Sequence, residues 1–202
     1  MIPKKSTHTI GIDEVGRGPI AGPVAVGSFV VLDKKALRLF SKVKESKQLK
    51  EKDREEWFKK IEKIRDEGLV DFSVVFQSEK IIDKKGLSFA IKNALRISVD
   101  KLVERNNLKK ENTKVLLDGG LKAPKEYINQ KTIIKGDEKE KIIALASICA
   151  KVLRDRKMIK LSKKYPQYKL DVNKGYGTKG HYEAIDKYGL ANLHRRSFLK
   201  KS

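Results

Sequence analysis

Cysteine is almost missing from this sequence: Cys149 is the only one in 202 residues. An intramolecular disulfide is therefore impossible, and a metal site built on thiolates is not credible. Cys149 sits among apolar neighbours and reads as a small buried hydrophobe. Proline is also sparse, at 5, and no Gly/Ser linker, internal repeat or low-complexity tract interrupts the chain. That favours one domain over residues 1–202. No apolar run approaches the roughly 18 residues of a membrane span. The N-terminus, MIPKKSTHTI, lacks the apolar core of a signal peptide. The expected compartment is the cytoplasm. Acids are heavily outnumbered, 26 Asp+Glu against 47 Lys+Arg, for a formal net charge of +21. An excess of that size points to a nucleic-acid partner. The lysines are spread along the chain, which disfavours an anionic membrane.

The apolar residues that are present fall into regular patterns. His8–Glu14 and Pro23–Leu32 read as two strands, joined closely enough for a hairpin. Trp57, Ile61 and Ile64 recur at helical spacing within Lys50–Glu67, and Gly68 ends that helix. Leu69–Gln77 reads as a third strand. Leu87–Arg105 is a long amphipathic helix with Leu87, Ile91, Leu95, Val99 and Leu102 along one stripe. Val115–Asp118 and Lys131–Lys135 are short strands, and Glu138–Lys160 is a helix. A Gly-rich basic loop, Lys174–Gly180, precedes a short helix near His181–Tyr188. A hairpin followed by alternating strands and helices predicts a mixed-sheet α/β or α+β domain.

Few acids are present, yet several stand at strand ends. The first strand ends on Asp13-Glu14, VLLD ends on Asp118, and TIIKG is followed by Asp137. Residues at neighbouring strand ends converge, which is where sites form in such sheets. Carboxylates without His or Cys suit Mg²⁺ or Mn²⁺. Two ions about 3.5–4 Å apart would make a phosphodiester hydrolysis centre. The bland alternative is that each acid faces solvent. Strict alternation also sends Asp13 and Glu14 to opposite faces, so they share a site only if the strand ends or twists there. Gly16-Arg17-Gly18 follows at once. It is either an ordinary turn or a phosphate- and sugar-binding one, with backbone N–H groups at close approach and a guanidinium.

Ser147, Lys151 and Asp155 form an i, i+4, i+8 polar stripe on an otherwise apolar helix. The stripe is either an exposed face or a set of buried groups that must meet polar partners. Tyr176, flanked by Gly175 and Gly177, either caps the core or stacks on a sugar or base. His181 and His194 read as surface or capping residues rather than catalysts, and Trp57 as core or partly buried.

Together these blocks resemble the type 2 ribonuclease H family, ribonuclease HII. The resemblance runs from GIDEVGRGP (Gly11–Pro19) through Glu45-Ser46-Lys47-Gln48-Leu49, Leu117-Asp118-Gly119, Lys135-Gly136-Asp137, Ala146–Asp155 and Gly175–Thr178 to His194-Arg195-Arg196-Ser197-Phe198. The sequence departs from the family pattern at Glu45, where Asp is usual, at the second glycine after Asp118, and at Leu145, where a small residue is common. The related type 3 enzymes usually carry an extra N-terminal domain. The first strand here begins within ten residues, which disfavours that subtype.

The resemblance implies a ribonuclease H-like fold: a five-stranded mixed sheet flanked by helices, with a C-terminal helical extension over roughly residues 160–202. It implies endonucleolytic cleavage of RNA in RNA–DNA hybrids and of single ribonucleotides in duplex DNA, with two Mg²⁺ or Mn²⁺ ions. The cut falls 5′ to the ribonucleotide and leaves 3′-OH and 5′-phosphate ends. It carries catalytic and metal-binding roles onto Asp13, Glu14, Asp118 and Asp137, with Asp155 a further acid near the site whose direct contact with metal stays open. Gly16, Arg17 and Gly18 would read the 2′-OH at the junction and Tyr176 would stack on the adjoining deoxyribose. Ser46 and Lys47 would contact phosphates, and Ser147 and Lys151 would line the substrate site. A monomer is implied. A replication-clamp contact through the C-terminal lysines stays open. So do two other readings, a DNA nuclease or integrase of the same fold and a non-catalytic basic binding module.

Overall fold

The structure, a computed structural model, describes residues 8–43 and 49–199. Ser46 and Lys47 lie outside the described residues, as do the C-terminal Lys200 and Lys201. Five strands form one mixed sheet: β1 His8–Val15, β2 Val24–Val31, β3 Val70–Gln77, β4 Thr113–Asp118 and β5 Gln130–Ile133. Their order is β3-β2-β1-β4-β5. β1 pairs antiparallel with β2, and β2 with β3, as a meander requires. β4 and β5 run parallel to β1, each reached by a crossover. All eight residues of β2 are buried, because helices cover both faces of the sheet.

The helices are α1 Ala36–Leu39, α2 Glu51–Asp66, α3 Glu79–Lys85, α4 Leu87–Arg105, α5 Gly136–Lys139, α6 Lys141–Lys164, α7 Leu170–Asn173 and α8 Lys179–Tyr188. On one face, α4 buries Ile91, Leu95, Val99 and Leu102 against Ile10, Ile12, Val115 and Leu117. On the other, α6 and α2 bury Ile143, Ile148, Ile61 and Phe58 against Phe29, Phe72 and Leu116. A smaller cluster of Met158, Tyr168, Leu170 and Leu193 packs the C-terminal part onto Ala21. Among the described residues, no helix is long and apolar enough to cross a membrane.

The α/β class, the mixed sheet and the bounds of α4 agree with the expectation from sequence. Three features differ. The helix expected over Glu138–Lys160 is two helices, because Glu140 adopts an extended conformation (φ −122°, ψ 110°) between them. The second helix then runs on to Lys164. α1, α3 and α7 were not expected. α3 is short but well punctuated: the Ser78 hydroxyl accepts from the Ile81 N–H at its start, and Gly86 closes it at φ +84°. The fifth strand ends at Ile133, two residues early, since Lys135 turns into the left-handed region at φ +55°.

Close approach of α6 to the sheet fixes the site. A Cβ on Gly11 would stand 2.3 Å from the Ile142 carbonyl oxygen, and one on Gly27 2.5 Å from that of Ala146. Both contacts are to helix backbone, which cannot swing aside. Gly11→Ala is therefore expected to lift α6 and destabilise the fold by about 1–3 kcal/mol, read from urea unfolding. A Gly11→Ala protein as stable as wild type would contradict this packing.

Candidate active site

Alternation along β1 puts Ile10 and Ile12 against α4, so Asp13 points to the α6 face and Glu14 away from it. Asp118 ends β4 next to β1, one residue beyond the paired Ile12 and Leu117, and shares the Asp13 face. β1 ends at Val15 and Gly16 turns at φ +92°. One pocket opens over these ends, lined by Asp13, Glu14, Gly16, Arg17, Gly18, Asp118, Ser147, Lys151 and Tyr176. Alternation thus holds, and both acids still border one cavity because it sits at the strand terminus.

Each carboxylate meets a different set of donors. Asp13 is 4% exposed. It accepts the Glu14 N–H at 2.8 Å and a hydrogen bond from Ser147. Burial, with the nearby charges of Glu14 and Asp118, pushes its pKa up to about 8 against the Ser147 bond. Glu14 is raised too, chiefly by burial, although Arg17 Nη1 donates to its Oε1 at 2.8 Å. Its other oxygen, Oε2, is buried with no hydrogen-bond partner. Asp118 Oδ1 accepts the Gly136 N–H at 2.6 Å. Asp137, the next residue, is buried on α5 and does not line the pocket.

Ser147 and Asp155 are buried, so the polar stripe on α6 is an interior one and not an exposed face. Lys151 Nζ reaches Asp155 Oδ1 at 2.8 Å, and Arg54 approaches the same carboxylate at 3.9 Å. Asp155 itself stays off the pocket wall. Tyr176 is 43% exposed, with its ring across from Gly18, where a Cβ would lie 3.7 Å away. It therefore forms a wall of the pocket rather than a cap on the core.

Two arginines missed by sequence reasoning hold the turn from behind. Arg195 is fully buried and donates to the carbonyls of Gly16 at 2.7 Å, Arg17 at 3.0 Å and Gly22 at 2.9 Å. Arg154, also buried, donates to Pro23 at 2.9 Å and Lys174 at 3.1 Å, and its Nε is where a Gly16 Cβ would fall. Burial lowers both pKa values, that of Arg195 to about 10, which still leaves it charged. The histidines were expected as surface or capping residues rather than catalysts. His181 and His194 are instead buried, with Nε2 atoms 3.2 Å apart. Facing polar atoms 13 residues apart in the chain give no sequence signal.

Comparison with known proteins accords with this geometry. The family model for ribonuclease HII matches residues 10–201. A ribonuclease HII of Caldicellulosiruptor bescii is 46% identical over 190 residues, 94% of this chain and 85% of the relative. The ribonuclease H2 structure from Pyrococcus horikoshii superposes with a TM-score of 0.68 at 27% identity, covering 95% of this chain and 93% of that one. A chain from the PCNA:RNase HII complex of Archaeoglobus fulgidus gives 0.73 at 24% identity, with 96% of each chain covered. The chain belongs to the ribonuclease HII family, metal-dependent endoribonucleases that cleave RNA in RNA–DNA hybrids.

Proposed function

We propose that this protein incises duplex DNA on the 5′ side of a single embedded ribonucleotide, as well as cutting hybrid RNA, with two divalent cations held by Asp13, Glu14, Asp118 and Asp137. The observation that carries the reading is the juxtaposition of Asp13, Glu14 and Asp118 with the Gly16-Arg17-Gly18 turn in one pocket. The donor set suits Mg²⁺ or Mn²⁺, being oxygen only. The unpartnered Glu14 Oε2 and the raised Asp13 pKa both mark a place short of positive charge. Among the described residues, no three His, Cys, Asp or Glu side chains are arranged to hold an ion as they stand. Asp13 and Asp118 are turned toward protein donors and Glu14 toward Arg17. Bound cations would supply activation of water and stabilisation of the leaving oxygen.

The protein's own groups do the rest. Backbone at Gly16 and Gly18 can approach a ribose closely, and the 2′-OH is the group that distinguishes RNA from DNA. Arg17 is exposed enough to move from Glu14 to a phosphate. Tyr176 offers a ring to the neighbouring deoxyribose. Lys151 adds a cation on the pocket rim, and Ser147 orients Asp13. The net charge of +21 supplies salt-dependent duplex affinity. Ser46 and Lys47 are proposed phosphate contacts outside the described residues. A clamp contact is proposed for Lys200 and Lys201, also outside them, by likeness to the archaeal complex with PCNA.

Incubation with Mg²⁺ or Mn²⁺ and a DNA duplex holding one ribonucleotide is expected to give one nick with 3′-OH and 5′-phosphate ends. Asp13→Asn should cut roughly 10²–10³-fold more slowly, and Tyr176→Ala should weaken substrate use by roughly tenfold. An intact duplex from folded wild type, or full activity of Asp13→Asn, would overturn the assignment.

Without metal, the buried acid also has a pH signature. The folded protein holds the Asp13 proton up to about 8, against 3.8 as the ordinary value. Between those limits the folded state binds the extra proton, so this group's contribution to stability falls as pH rises through the window and levels off above it. The stability of wild type minus that of Asp13→Asn should therefore decline from pH 5 to pH 8, by thermal melting in chelator. Mg²⁺ at pH 8 should raise the wild-type melting temperature more than that of the variant. A difference independent of pH would contradict the account.

A further inference from the structure

We propose that His181 and His194 are positioning residues: one directed proton chain runs from Ala191 through both rings to the Tyr176 carbonyl and fixes that wall of the pocket. The inference rests on Tyr176 being a substrate contact, but the chain itself follows from donors and acceptors alone. His181 Nδ1 lies 2.9 Å from the carbonyl oxygen of Tyr176, which can only accept. That nitrogen must carry the proton. A neutral imidazole has one proton, so His181 Nε2 is bare. His194 Nε2, at 3.2 Å, must then donate. His194 Nδ1 is left bare and accepts the Ala191 N–H at 3.0 Å. The Ala191 carbonyl is 3.2 Å from the same nitrogen, but it already takes the His194 N–H at 3.1 Å. This pair of tautomers satisfies the contacts to the Tyr176 carbonyl, between the rings and from the Ala191 N–H, leaving only the 3.2 Å Ala191 carbonyl contact unused, whereas His194 protonated on Nδ1 would set two bare Nε2 atoms face to face.

The surroundings keep both rings neutral. His181 is 0% exposed and His194 2%. Burial lowers the pKa of each, that of His194 to about 4. The charges that face His194 are His181 and Arg196, both disfavouring a cation. The Tyr168 ring packs edge-on to His194 at 4.7 Å and tilted to His181 at 6.0 Å, while its hydroxyl donates to the Gly189 carbonyl.

The recipient is the loop that carries the exposed ring. Its other anchors are the Thr178 N–H, which donates to the same Tyr176 carbonyl at 2.9 Å, the Tyr176 N–H to the Asn173 carbonyl, the Gly175 N–H to Asn173 Oδ1, the Gly175 carbonyl to the Ile20 and Ala21 N–H groups, and Arg154 on the Lys174 carbonyl. The next residue after His194 is Arg195, which holds the Gly16 and Arg17 carbonyls on the opposite wall. One dipeptide thus reaches both sides of the pocket from behind it.

Two measurements test this. Long-range proton–nitrogen spectra of the ¹⁵N-labelled free protein at pH 7 should find His181 protonated on Nδ1 and His194 on Nε2, with peaks assigned from the single variants. Both rings protonated on Nε2, or either ring charged, would overturn the chain. This readout needs no substrate, so it stands apart from the reading of the pocket. In cleavage of the one-ribonucleotide duplex, His181→Phe removes the side-chain donor to the Tyr176 carbonyl, leaving the Thr178 N–H alone on it, and should raise KM about tenfold with kcat changed far less. His181→Asn keeps a donor at the Nδ1 position and should recover most of the loss. Equal KM for wild type and His181→Phe, or no difference between the Phe and Asn variants, would contradict a positioning role. If His181→Phe fails to fold, His181→Asn against wild type and the spectra decide.

Discussion

Two buried guanidinium groups, solvated by backbone carbonyls in place of water, hold the active end of this molecule in shape. Arg195 and Arg154 together bind carbonyls of Gly16, Arg17, Gly22, Pro23 and Lys174. Burying a charge is costly unless its hydrogen bonds are met. These carbonyls are therefore not free to rearrange, since losing one leaves a charged donor unsatisfied at about 1–3 kcal/mol or more. The constraint joins the C-terminal segment to the turn after β1. The walls of the pocket are set by residues that never enter it. Arg154 Nη2 remains a buried donor with no partner, so the positive charge behind the Gly16 turn is incompletely spent.

The pocket balances opposite charges at close range. A protein with formal charge +21 draws in a polyanion, but three carboxylates at the centre of the binding surface repel phosphate. Burial, added to by the neighbouring carboxylates, raises the Asp13 and Glu14 pKa values in the free protein. A divalent cation resolves both problems at once. The small residues of β1 and β2 make the arrangement possible: Gly11 and Gly27 let α6 lie against the sheet, which brings Ser147 to Asp13.

Much of this was legible in the sequence where the signal is local. The DEVGRGP block, the buried run ending at Asp118 and the stripe of α4 each carry their own pattern. The polar stripe of α6 was legible as a stripe, but whether it faced solvent or the interior stayed open until its burial was seen. What sequence could not supply were contacts between distant segments. Nothing near His181 in the chain reveals His194 as its partner, and arginines in a basic protein look like surface charge until Arg195 is found among carbonyls 173 and more residues away. The break at Glu140 was hidden because α5 and α6 are each helix-forming in composition. Asp137 falls in the family motif beside Gly136, whose N–H binds Asp118, and is buried without lining the pocket.

The central claim is that the arginine-held turn beside the carboxylates reads a single 2′-hydroxyl. The most direct measurement compares two duplexes that differ only at one sugar, one with ribose and one with 2′-fluoro-2′-deoxyribose, under identical Mg²⁺. The account predicts a nick on the 5′ side of the ribose and none at the fluorinated sugar, which cannot donate a hydrogen bond. Equal cutting of both duplexes would contradict it.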